Sequence, residues 1–592
     1  MPERIATTWR WLLLAVVAAW CVGMFGRAYW TPDEPREADL AWRMTWQQEK
    51  SVPLLAGEAF CEKPPLLYWL AAPAIEAFGT AAWAARLPNL LYAIFTALAV
   101  FALARRAAGE VAAWVAAAAI STFLLAYQVT IWLATDAPLL ATVAIALLGA
   151  YRGFHAEDRG SRLRGYTIMH AALALGFLAK SGAAWMVPVL TLATLMLRER
   201  RLNELLRWEL YAGLVLQAVV VGAWIAAVYL GTDGTAHLRV FLWDNLAGRF
   251  TKVSGPGDVQ YTNGHRNTPG KYLLELPEYL WPWTLLLLAA IRRGFRRRRD
   301  PPANRRAVRF AAACVLPTMA LLSLAATARN VYLAPALPGA ALLLGWWASE
   351  AAVAPDAWDL RALRATALLL LLGAALVGLA AALIGYDAWP TLASRSTYVF
   401  VCALGVGAAA VFALRAWRSA GRGALLPGLA ALLAAYCALL TLPATQIYPQ
   451  VDRWHDFAAL GRSLRADLAG APLVLISPDE TTRAWVDLYA DRAVRLADAP
   501  GDRRSLAALR RSAEGDPRRR FLVMLGGRAI SPRLRALAAR MHLKIRQADH
   551  PPEAPTWAAA ADLRIERIYA LPYGRRYALL APSATRRNSA SY

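Results

Sequence analysis

Cysteine is scarce in this chain. Five occur in 592 residues, Cys21, Cys61, Cys314, Cys402 and Cys437. Four of them lie inside apolar blocks and only Cys61 sits in a polar stretch, which excludes a disulfide framework. There is no Cys-x-x-Cys pair and no His/Cys cluster, so a structural zinc site is excluded as well. Acidic residues are in deficit, with 41 Asp and Glu against 65 Lys and Arg and a net charge of +24. No small-residue cleavage site follows the first apolar block, Trp11 to Trp30, and acidic residues come directly after it. That block is expected to stay as a helix rather than leave as a signal peptide.

Apolar sequence is abundant. Hydrophobic residues make up 58% of the chain and the mean hydropathy is +0.35, above the composition of a soluble domain. The excess falls in blocks of about 20 residues, the length that crosses a hydrocarbon core of roughly 30 Å. Thirteen spans are expected, near 11–29, 83–104, 110–128, 134–151, 166–179, 183–197, 209–230, 272–291, 308–327, 331–348, 365–385, 398–416 and 424–443. The basic residues collect in the short connections: Arg105 and Arg106, 152–164, 198–207, 292–309, Arg361 with Arg364, and 415–422. With the N-terminus inside, all of these fall on the cytoplasmic side, as the positive-inside rule requires. The positive charge is therefore read as topology, and nucleic acid is not expected as a partner.

The same parity places 30–82, 128–133, 231–271 and the tail from about 444 outside, with the short turns at 180–182 and 328–330. Residues with chemical potential gather at or beyond these outer ends of helices: Asp33, Glu34, Glu62, Lys63, Asp136, Lys180, His265 and Arg329. The first outer loop opens with DEPREAD and continues to CEKPP, which sets Glu62 and Lys63 before an aromatic-rich segment. Between them, Glu37 to Glu49 reads as an amphipathic helix whose Leu40, Ala41, Met44 and Trp46 would lie on the membrane surface, and Leu66 to Phe78 reads likewise. Asp33 has a second reading as an N-cap of that helix, Lys63 as a side chain snorkelling to lipid phosphates, and Asp136 as a cap opening the fourth span. His265 has a second reading as a loop hydrogen-bonding residue.

DEPREAD after the first span, followed by EKPPLLYWL, resembles the superfamily of protein O-mannosyltransferases and lipid A 4-amino-4-deoxy-L-arabinose transferases, integral-membrane glycosyltransferases of GT-C type. The resemblance implies a catalytic Asp33 and a Lys63 that contacts the lipid-linked phosphate. Further motifs agree. LATDAPLL implies a catalytic Asp136, LAKSG implies Lys180, and HRNTPGKYLLELPEYLWPW implies His265. ARNVYLAPALPG resembles a late motif that usually carries Lys before Tyr-x-x-Pro; Arg329 and Asn330 stand there instead. The family often has Arg-Tyr after its Asp-Glu pair, where this chain has Arg36-Glu37.

Together these readings give an expected activity. An inverting transferase would move a sugar from a polyprenyl (undecaprenyl) phosphate donor to an acceptor at the outer, periplasmic face of a bacterial inner membrane. The favoured pair is 4-amino-4-deoxy-L-arabinose and lipid A phosphate. A protein O-mannosyltransferase-like enzyme or another envelope glycan transferase is the alternative within enzymes, and a transporter the alternative outside them. Lys63, Lys180, Arg36 and Arg329 are the candidates for binding the donor phosphate, because cations must stabilise the departing charge. Asp33 would align or deprotonate the acceptor and Asp136 would orient the sugar. Glu34, Glu62 and Tyr332 are candidates to line the site. Glu62 and His265 form a candidate pair for a divalent cation; no cofactor is otherwise expected.

Two domains are expected, a transmembrane transferase over 1–445 and a periplasmic α/β domain over 446–592. In the latter, 471–477, 519–527 and a segment near 569–580 read as strands, and Arg453 to Leu468 and Pro532 to Met541 as helices. The tail carries no GxGxxG or P-loop, so it is expected to cap the outer loops or meet the acceptor. Residues 585–592 are expected to be disordered.

Overall fold

The computed structural model describes residues 2–244, 268, 270–301, 305–325, 329–388, 392–490, 494–525, 555–571 and 575–583. The order of the N-terminal half is α1 (Pro2–Phe25), α2 (Glu34–Trp46), a two-stranded hairpin of β1 (Leu54–Leu55) and β2 (Glu58–Ala59), α3 (Leu66–Phe78), α4 (Ala82–Ala108), α5 (Glu110–Thr122), α6 (Leu124–Ile131), α7 (Asp136–Phe154), α8 (Arg159–Lys180), α9 (Ala183–Arg198) and α10 (Leu214–Leu230). Among the described residues nine helices are long and apolar enough to cross a membrane, or ten when the bent α5–α6 pair counts as one span. The other expected spans are helical but shorter or more charged: α8, α9, and the Lys271–Tyr279 and Thr284–Arg296 helices, which break around Pro282.

Small residues let the bundle close. α7 and α8 meet backbone to backbone at Gly149, Gly153 and Gly165. A Cβ on Gly165 would fall 2.3 Å from the Gly153 nitrogen, so only glycine fits. Close approach of this kind substitutes for a hydrophobic driving force, which lipid does not supply between helices.

Residues 457–583 form an α/β unit. Its five-stranded sheet runs β4-β3-β5-β7-β6, with β3 (Leu473–Ile476) parallel to β4 (Arg495–Ala497) and β5 (Arg520–Leu525). Strands β7 (Arg576–Pro582) and β6 (Leu563–Ala570) add antiparallel. The Phe457–Leu468 and Glu480–Tyr489 helices cover one face and Arg503–Glu514 the other, which accounts for the unbroken apolar run of β3. The strands expected over 471–477 and 519–527 coincide with β3 and β5; the single strand expected near 569–580 straddles the end of β6 and most of β7, which are separate strands, and β4 was not expected. The helix expected from Arg453 begins at Phe457, where Asp456 accepts a hydrogen bond from the Ala459 N–H at 2.9 Å. The segments expected over Pro532 to Met541 and 585–592 lie outside the described residues.

This unit docks on the first loop and corrects one expectation. Leu40, Ala41 and Met44 are buried in protein instead of resting on the membrane surface, and only Trp46 is exposed. The cause is that α2 lies between α3 and the Glu480–Tyr489 helix. Arg43 is clamped bidentately by Asp487, both bonds at 2.5 Å and both side chains buried. In α3, Leu67, Tyr68 and Ala71 face inward while Leu70 and Phe78 stay exposed.

Candidate active site

The loop after α1 is anchored by a buried ion cluster. Glu34, fully buried, pairs with Arg27 at the end of α1 and with Arg86 of α4, whose Nε and Nη2 donate at 2.9 and 2.8 Å. The same carboxylate accepts the backbone N–H groups of Trp30 at 2.8 Å and Leu133 at 2.9 Å. Burial raises its pKa, but the two guanidiniums outweigh burial and hold it at about 2. Glu34, expected to line the site, is thus part of the scaffold: it ties α1, α2, α4 and the segment before α7 together and leaves Asp33 projecting the other way.

Asp33 occupies the N-cap position of α2 but makes no capping hydrogen bond. Its oxygens accept from Arg36 at 3.2 Å and, across 296 positions of sequence, from Arg329 at 2.9 Å. Burial pushes the carboxyl up; Arg36, Lys63 and Arg329 outweigh it and hold Asp33 below the usual carboxylate range. Arg36 also reaches Glu62 at 3.8 Å and Glu480 of the docked C-terminal unit at 2.5 Å. Lys63 is buried, and its ammonium donates to Glu37 at 2.8 Å. Snorkelling to lipid is therefore not its role. Glu37 escaped the sequence reading, although it stands on the same helical face as Asp33, four residues on.

The opposite wall comes from the ends of α7 and α8 and from the turn Asn330–Ala336. Lys180, the last residue of α8, donates to Asp136, the first of α7, at 2.6 Å. Its ammonium lies 5.5 Å from the Tyr332 ring centroid. The pairing explains how a lysine is tolerated between two apolar helices. Asp136 spends its carboxylate on this pair rather than on a cap.

These pieces enclose a cavity of about 250 Å³ lined by Asp33, Glu62, Lys63, Asp136, Lys180, Arg329 and Tyr332. Asn330 of the late motif also lines it, as do Gln128 and Trp132, which no chemical motif marked. Carboxylates and cations alternate around an opening that suits a substrate with both a phosphate and a polar acceptor. Of the proposed metal pair, Glu62 lies on this wall and His265 falls outside the described residues. Among the described residues no three His, Cys, Asp or Glu side chains gather as a metal-binding group.

A bundle whose helix ends converge on such a cavity, with an α/β unit docked on its first loop, is the architecture of GT-C membrane glycosyltransferases. The family model described as dolichyl-phosphate-mannose-protein mannosyltransferase matches residues 62–225. The crystal structure of ArnT from Cupriavidus metallidurans bound to undecaprenyl phosphate superposes with a TM-score of 0.70 at 17% identity, covering 96% of this chain and 97% of that one. The undecaprenyl phosphate-α-4-amino-4-deoxy-L-arabinose arabinosyl transferase of Pseudomonas paraeruginosa is 30% identical over 438 residues, 74% of this chain and 75% of its own length. Its counterpart in Pseudomonas aeruginosa strain LESB58 is 29% identical over 73% of this chain and 75% of that protein. The chain belongs to this family of arabinosyl transferases. It is a multi-pass membrane glycosyltransferase.

Proposed function

We propose that the protein transfers 4-amino-4-deoxy-L-arabinose from undecaprenyl phosphate to a phosphate of lipid A, at the periplasmic face of the bacterial inner membrane, with its N-terminus cytoplasmic and its C-terminal domain periplasmic. The observation that carries this reading is the cavity that joins Asp33 to Lys63, Lys180 and Arg329.

Phosphate is a good leaving group, so the task is alignment and charge stabilisation. Lys63, Lys180 and Arg329 face the cavity and suit the departing phosphate; Arg36 supports them through Asp33. Asp33 is ionised and doubly paired, which makes it a weak base. That suits an acceptor already ionised near neutral pH, such as a phosphate monoester, better than a neutral hydroxyl. Asp33 would then act by alignment. Asp136 orients the sugar, whose amine is complementary to a carboxylate. One direct displacement inverts the anomeric centre. The ionisable groups of the cavity stand at helix ends, whereas a transporter would keep them near the bilayer midplane.

The test supplies purified protein with undecaprenyl phosphate-linked aminoarabinose and lipid A, or with a peptide acceptor, and follows the acceptor mass. Transfer to lipid A that collapses in Asp33→Asn and Lys63→Ala is expected. Full-rate transfer by both variants would remove the site assignment, and transfer only to peptide would remove the acceptor. Cysteine-labelling of 30–82 from the cytosolic side would overturn the orientation.

A further inference from the structure

Glu37 sits behind the cavity and does not line it, yet it holds two of the cations around it. One oxygen accepts from Lys63 at 2.8 Å and from Arg36 at 2.6 Å. The other accepts from the Tyr68 hydroxyl of α3 at 2.8 Å. The carboxylate is fully buried, and Tyr68 is too. Both oxygens are thus engaged, and the tyrosine keeps the group from swinging. Arg36 has Asp33, Glu62 and Glu480 besides. Lys63 has Glu37 as its hydrogen-bond acceptor among the described residues.

We propose that Glu37 is a positioning residue for donor binding, whose buried carboxylate fixes the Lys63 ammonium at the place where the phosphate of a lipid-linked sugar enters the cavity. The proposal rests on the reading of Lys63 as a phosphate-binding group and deepens it.

Lysine is a compact charge on a flexible stem. Unheld, it would lose that freedom on each binding event, and a buried ammonium without a partner tends to shed its proton. The groups facing Lys63 are Asp33, Arg36 and Glu37 of the α2 segment, neighbouring Glu62, and Tyr68 of α3, with Asp136, Lys180 and Arg329 on the far wall of the cavity. Burial and Arg36 push its pKa down; Glu37 first, then Glu62 and Asp33, push it up and prevail. Glu37 therefore supplies both the aim and the charge of Lys63. It also stands where the chain departs from the Arg-Tyr of the resembling motif, so the device is written into this sequence and is open to mutation.

The experiment measures transfer against pH for the full-length protein, with undecaprenyl phosphate binding as a second readout. Glu37→Gln keeps the shape and removes the charge. Its donor KM is expected to rise about ten- to a hundredfold, the range of one charge-assisted hydrogen bond, with a smaller change in kcat. The alkaline limb of kcat/KM is expected to move down by about one pH unit or more. Glu37→Asp should restore the limb while KM stays raised. Tyr68→Phe, which keeps the charge, should raise KM modestly without moving the limb, and it stands in should the glutamine variant fail to fold. A wild-type KM and alkaline limb in Glu37→Gln would overturn the proposal, as would a uniform loss of rate with no shift of the limb. Lys63→Ala separates the two layers. If it binds undecaprenyl phosphate as the wild type does, the underlying reading fails; if it loses binding while Glu37→Gln is normal, only the positioning role fails.

Discussion

Glu34→Gln distinguishes scaffold from catalytic machinery. The Glu34 carboxylate is fully buried, faces Arg27 and Arg86, and is held at about 2 against an ordinary value of 4.5. A depressed carboxyl contributes stability above its unfolded pKa and loses it as the pH falls through its folded one. The contribution is therefore fully present above about pH 5 and fades between 4.5 and about 2. The shift converts to about 3 kcal/mol near neutral pH, within the range of roughly 3–5 kcal/mol for breaking a buried pair. Glutamine keeps the shape, retains acceptance from only one of the Trp30 and Leu133 N–H groups, which bond different oxygens of Glu34, and leaves two buried guanidiniums without a counter-charge. The assay is unfolding of the purified protein in mixed detergent at several pH values, with undecaprenyl phosphate binding of the folded fraction alongside. The expected result is a loss of about 3 kcal/mol at pH 7 that shrinks below pH 4.5, with donor affinity of the folded fraction little changed. Wild-type stability combined with lost binding would refute the reasoning and return Glu34 to the site.

Three further outcomes follow from the same geometry. Burial and the neighbouring Asp487 push the Asp39 carboxyl well above its usual range; it takes up a proton on folding, a cost that grows as pH rises above 3.8. Asp39→Asn should therefore stabilise the protein at pH 7, with the gain vanishing toward acid; a lower unfolding midpoint at pH 7 would contradict this. Arg43→Leu strands a buried Asp487 beside Asp39 at a cost of roughly 3–5 kcal/mol to the docked interface, and limited proteolysis should cut between the Leu425–Gln446 and Phe457–Leu468 helices sooner than in wild type. Lys180→Met removes a cavity cation and should lower kcat/KM about a hundredfold; an unchanged value would exclude Lys180 from the transfer step.

Which residues meet at the cavity was partly legible in the sequence. Asp33, Lys63, Asp136, Lys180, Arg329 and Tyr332 were named from motifs, and one cavity unites them. The consecutive carboxylates Asp33 and Glu34 looked equivalent in sequence. A helix advances about 100° per residue, so Asp33 and Glu37 share a face while Glu34 turns toward Arg27 and Arg86. Which carboxylate did which task depended on where α4 and the segment before α7 would bring their arginine and their N–H groups, and no local pattern encodes that.

Span positions and the charge bias of the loops were set by sequence alone, because a bilayer imposes a length and a polarity that each segment meets independently of the rest. Strands β3 and β5 were equally local, being short apolar runs between turns. The tertiary structure decided the rest. An apolar helical face is satisfied equally by lipid or by protein, since apolar burial has no direction; the pattern of α2 fits a membrane-surface helix, and only the fold, which lays the Glu480–Tyr489 helix over it, makes that face a protein interior. The Asp33–Arg329 pair, 296 positions apart, likewise exists only because the folded bundle brings the end of one loop against the start of another.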